Sequence, residues 1–155
     1  MADDNTNAQA QQQIPTPNPA LKRLDVLVGT WNLSGPTIKG QVTFAWMDGG
    51  FFLVQHGDFE HDGVTIKAIE YIGYEQKWGA TEPSKDCISH VFDNMGHHFE
   101  YVWDVGDDTL TIWGGYVGSP AAFKGTFSDD HNTISGGWEW PGGGYESTMT
   151  RVKHA

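Results

Sequence analysis

The sequence predicts an all-β protein: a single antiparallel up-and-down β-barrel of about ten strands, capped by a short N-terminal plug helix. Three observations predict it. From Trp31 onward the chain runs in short segments of alternating apolar and polar residues, the period of a half-buried strand. Those segments are separated by turn-forming clusters such as Asp48-Gly49-Gly50, His61-Asp62-Gly63 and Asn94-Met95-Gly96, so successive strands join as hairpins. The composition is rich in Gly (20) and in Trp, Phe and Tyr (7, 8 and 5), unlike the Leu- and Ala-rich, Gly-poor make-up of helical bundles.

The 155 residues suffice for one domain. Residues 1–17 are rich in Gln, Asn and Pro and hold nothing that builds a core, so a disordered tail is expected, with the barrel domain spanning 18–155. The helix follows. Asn18 is a suitable N-cap, Pro19 fits the first helical position, and Leu21, Leu24, Leu27 and Val28 share one face before Gly29 stops it. The expected strands are Gly29–Ser34, Lys39–Met47, Phe51–Phe59, Val64–Tyr74, Asp86–Asp93, His98–Val105, Thr109–Trp113, Ala122–Ser128, Thr133–Trp140 and Tyr145–Lys153. The one long connection, Glu75 to Lys85 with Pro83 inside it, is a candidate lid or portal loop.

Turn geometry sets which side chains share a face. A turn at Asp48-Gly49 sets Trp46 opposite Phe51, Phe44 opposite Leu53 and Val42 opposite Gln55, an apolar inner face. Pairing Phe59 with Val64 brings Ile66, Ala68, Glu70 and Ile72 to the same face. A turn at Met95-Gly96 sets Phe92 opposite Phe99, His90 opposite Tyr101 and Ile88 opposite Trp103. The Pro141–Gly144 turn pairs Trp140 with Tyr145, Trp138 with Ser147 and Gly136 with Met149. A closed barrel of this strand number is too wide for ordinary side chains to fill, so these aromatics either fill the interior or line a cavity.

Gly29-Thr30-Trp31, directly after a short helix, resembles the Gly-x-Trp signature of the calycin superfamily, the lipocalins, fatty-acid-binding proteins and their relatives. The resemblance implies that Trp31 closes one barrel end and that Arg151, on the last strand, packs over its ring as a cation–π pair. The segments Leu27–Trp31, Gly49–Gln55, Ile72-Gly73-Tyr74 and Phe92–Gly96 together resemble an uncharacterised bacterial calycin-like family. That likeness implies a fold and says little about chemistry. Nitrobindin-like haem barrels are related in architecture and hold iron through a His on a late strand. Here the histidines after His98 are His131, in a polar turn, and His154, so haem binding is the least favoured expectation.

The expected function is binding of a small hydrophobic or aromatic molecule in the barrel. Phe44, Trp46, Leu53, Phe92, Trp103, Trp138, Trp140, Tyr145 and Met149 would form its wall, and Gln55 and Ser147 would orient it. The alternative is a barrel isomerase, cyclase or lyase in which Glu70, His90 and Tyr101 act as an acid–base set, since a carboxyl among aromatics has a raised pKa. No cofactor and no metal are expected. His97 and His98 point to opposite sides of a strand, so a metal there needs partners from elsewhere, and His61 and His131 read as solvated turn residues. The net charge of −11 disfavours nucleic acid and anionic membrane surfaces. The single Cys87 excludes an internal disulfide. The acidic, polar N-terminus lacks the basic start and apolar core of a secretory signal, so a cytoplasmic protein is expected. Phe52 and Val54 are outward apolar residues on which a homodimer would form, if one does.

Overall fold

A computed structural model describes residues 14–153. Most of the expected tail therefore lies outside the described residues. Ten antiparallel strands follow the helix Pro19–Leu27: β1 Gly29–Ser34, β2 Ile38–Trp46, β3 Phe52–His61, β4 Val64–Gly73, β5 Cys87–Asp93, β6 His98–Val105, β7 Thr109–Gly114, β8 Ala122–Phe127, β9 Thr133–Trp140 and β10 Gly143–Arg151. Each strand pairs with the next, and β1 pairs with β10 to close the barrel. Closure leaves no unpaired edge along the sheet. No helix is long and apolar enough to cross a membrane among the described residues.

The helix is 3₁₀ rather than α. Its buried leucines are spaced by three, Leu21, Leu24 and Leu27, and in a 3₁₀ helix residues three apart eclipse. That period places all three on one line and leaves Val28 out of it, 37 % exposed. Asn18 caps the start by accepting the Ala20 N–H. The leucines plug the barrel end where β1, β3, β5, β7 and β9 begin.

Two indole hydrogen bonds tie the plug to the wall. Trp31 is fully buried and donates its indole N–H to Leu27 O at 2.8 Å. Trp46 donates to Asp25 Oδ1 at 2.7 Å. Arg151, directly opposite Trp31 in the β1–β10 ladder, lies 4.2 Å above its ring. Gly29 adopts φ +126°, a backbone state that L side chains rarely take, and a side chain there would press on Arg151 Nη1. At Gly40, φ +148°, β2 bends so closely over β3 that a side chain would run into the backbone of Asp58 and Phe59.

Three hairpin registers differ from expectation by two residues, which keeps every side chain on its expected face. Phe44 opposes Gln55 and Trp46 opposes Leu53, because four residues and not two separate Met47 from Phe52. Phe59 opposes Ile66, and Trp138 opposes Tyr145. The β5–β6 hairpin differs by one residue, which reverses faces. Asp93 meets His97 across the three-residue turn Asn94-Met95-Gly96, with Gly96 at φ +83°. His90 then opposes Glu100 and Phe92 opposes His98. Ser89 opposes Tyr101 and Cys87 opposes Trp103.

Candidate functional site

The inner faces enclose a cavity of about 440 Å³, within the usual size of small-molecule sites. Phe44, Val42, Leu33 and Ile38 of β1 and β2 form one side of it. Leu110, Ile112 and Phe123 of β7 and β8 form the other. The rings of Tyr101 and Trp138 meet across the wall at 5.4 Å, and Trp103 meets Phe44 edge-on at 6.3 Å. The aromatic interior thus lines a void instead of filling it. The lining reaches Ile38, Ala121, Trp140 and Tyr145 at the end opposite the helix. At this mouth Trp140 is 42 % exposed, and the Tyr145 ring packs on His61 at 4.3 Å. The mouth loops are short except for 115–121, whose Tyr116 and Val117 are exposed.

Four polar side chains interrupt the apolar wall: Gln55, Glu70, Tyr101 and Ser147. Gln55 and Glu70 are direct partners in the β3–β4 ladder. Glu70 is 6 % exposed and accepts the Trp103 indole N–H at 3.0 Å. The same N–H also reaches Ser89 Oγ at 3.0 Å, and Ser89 is fully buried. Burial pushes the Glu70 carboxyl up to about 7, against the opposing pull of its hydrogen bonds with Ser89 and Trp103. Burial also holds the Tyr101 and Tyr145 phenols at about 12, so both stay neutral. The Cys87 thiol is likewise pushed to about 12 by burial and is no ready nucleophile.

The expected Glu70–His90–Tyr101 set is not assembled. Glu70 and Tyr101 share the cavity, but the one-residue register change turns His90 to the outer face. Phe92 is outside for the same reason, 47 % exposed and stacked on His98 at 4.7 Å. Trp46 and Leu53 face inward but belong to the plugged end. Leu53 is fully buried, and the Trp46 indole is committed to Asp25. Phe44, Gln55, Trp103, Trp138, Trp140, Tyr145, Ser147 and Met149 all line the cavity. The long connection between β4 and β5 leaves from the plugged end, so it does not cover the mouth. Ser89, the buried partner of Trp103, was not among the residues expected from the sequence. A Gly three places after Asp93 is the signal of a three-residue hairpin turn, and it would have found Ser89.

A second, larger hollow of about 1080 Å³ lies over β8, β9 and β10. It is bordered by Trp113, Lys124, Glu139 and Glu146 and floored by Gly137 and Gly144. Its lining is mostly polar, so the largely apolar cavity, with the buried Glu70 and Ser147 on its wall, is the better site. No protein-family model matches the chain, and no curated protein matches it.

Proposed function

We propose that the barrel binds a small, mostly apolar molecule carrying one hydrogen-bonding group such as a carbonyl or hydroxyl, as a calycin-like carrier or sensor would. The observation that carries this reading is Glu70: a buried carboxyl, titrating near neutrality, at the wall of an otherwise apolar cavity. In its protonated form it donates to a carbonyl, and in its ionised form it accepts from a hydroxyl. Tyr101, Gln55 and Ser147 add donors and acceptors that fix the guest's orientation. The apolar wall supplies affinity at ~25 cal/mol per Å² of guest surface removed from water, before the costs of ordering.

Titration of the full chain with N-phenyl-1-naphthylamine, a neutral aromatic dye that brightens in apolar sites, tests the reading. Saturable binding is expected. Ala68 faces the small Gly57 across β3–β4 and lines the cavity, so Ala68→Phe fills the void from inside. That variant is expected to weaken dye binding by at least about 10-fold, or ~1.4 kcal/mol, while its thermal midpoint holds. Equal binding by both proteins would place the dye outside the barrel and sink the reading.

A second reading rests on the same Glu70. A carboxyl with a pKa near 7 in a largely apolar cavity is suited to move a proton on a bound guest, with Tyr101 as its neighbour in place of His90. Under it, Glu70→Gln abolishes turnover of a bound compound and leaves dye binding intact.

A further inference from the structure

The register that removes His90 from the interior places it in a different constellation. On the outer face of β5 and β6, His90 stands directly opposite Glu100 and diagonal to His98. His90 Nδ1 lies 3.3 Å from His98 Nε2 and 3.4 Å from Glu100 Oε1. All three donor atoms fall within 4.8 Å of one another. The other imidazole nitrogen, His90 Nε2, faces Glu75 Oε2 at 2.5 Å. A carboxylate only accepts, so Nε2 carries the hydrogen in that contact and the neutral ring keeps its Nδ1 lone pair for the cluster.

We propose that His90, His98 and Glu100 form a site for a zinc-class divalent cation. Tetrahedral coordination at bond lengths of about 2.1 Å sets ligand atoms about 3.4 Å apart, which is the spacing found from His90 to both partners. Two imidazoles and one carboxylate leave a position open to solvent. Glu75 supplies the outer-shell carboxylate that fixes the tautomer and raises the basicity of a ligating histidine. Phe92 stacks flat on the His98 ring, 4° from parallel, and holds its plane. Glu75 comes from the long β4–β5 connection, so an ion would also tie that loop to the barrel wall. The charge of −11 raises the local concentration of cations.

The full chain, stripped with chelator and dialysed, would be titrated with Zn²⁺ in competition with a chromophoric zinc chelator. One ion per chain, bound tighter than about 10 µM, is expected. His98→Gln and Glu100→Gln are each expected to weaken it more than about 10-fold, and Glu75→Gln by about 10- to 100-fold. His97→Ala is the control: that side chain is paired with Asp93 at 2.9 Å and should leave affinity unchanged. Co²⁺ should give visible absorption that His98→Gln removes. All the substituted residues are at least partly exposed, and circular dichroism checks that each variant is folded. Absence of an ion at that affinity, a different stoichiometry, or binding that survives either ligand substitution overturns the site. The cluster is then a His–carboxylate hydrogen-bond network and nothing more.

Discussion

Arg151→Met is expected to lower stability by about 3 kcal/mol, a fall in melting temperature of about 10 °C for a domain of this size. The guanidinium serves several partners at once. Nη1 donates to Val28 O and Nη2 to Val26 O and His131 O, while Nε donates to Asn132 Oδ1 at 2.9 Å. The cation also covers the fully buried Trp31 ring. One side chain therefore holds the end of the plug helix, the first strand and the β8–β9 turn to the last strand. Methionine keeps much of the packing volume and strands these acceptors. Arg151→Lys keeps the charge but not the planar fork, and is expected to recover less than half of the loss. Urea unfolding should show a lower midpoint with an unchanged slope. A shift below about 3 °C would mean that Leu21, Leu24 and Leu27, with the Trp31 and Trp46 indole hydrogen bonds, hold the plug without Arg151.

The fold was legible because hydrophobic alternation and turn residues survive errors of detail. Phe44, Gln55 and Trp138 each gained a different cross-strand partner from the one expected and kept their expected face, because each hairpin moved by two residues. The candidate site was legible only as far as parity held. Glu70 depends on hairpins of even offset and reached the cavity. His90 and Phe92 depend on the β5–β6 turn, where an odd number of loop residues reversed them. A composition rule cannot detect such a reversal, because both faces of β5 are acceptable: Ile88, His90 and Phe92 on one, Cys87, Ser89 and Val91 on the other. Much of the cavity wall was legible, but not that the interior is hollow. Whether aromatics fill or line a barrel depends on how rings such as Tyr101 and Trp138 tilt against each other, which residue identity does not encode. The Glu75 contact was equally hidden, since it joins a loop to a strand 15 residues away.

Glu70→Gln is expected to make the protein more stable at pH 8 and to leave it unchanged near pH 4. Burial raises the native carboxyl from its ordinary 4.5 to about 7, so between those values the folded state holds a proton that the unfolded chain has released. Stability therefore falls as pH rises through this window. Below about pH 4.5 the carboxyl is protonated in both states and costs nothing. Above about pH 7 it is ionised in both, and the whole penalty, about 3 kcal/mol, is in force. Glutamine has no charge to desolvate and still offers an oxygen to the Trp103 N–H. Every other titrating group is common to both proteins and cancels in their difference. That difference should be near zero at pH 4, grow through pH 6, and level off above pH 7 at a gain of up to about 10 °C in melting temperature. Trp103→Phe makes a further test of the cause. It removes an N–H that favours the ionised form, so the carboxyl should titrate higher still and the wild-type slope should extend to higher pH. A wild-type-minus-variant difference that stays flat from pH 4 to pH 8 would mean that water reaches Glu70 freely. The cavity would then lack the dry wall that both binding and proton transfer require.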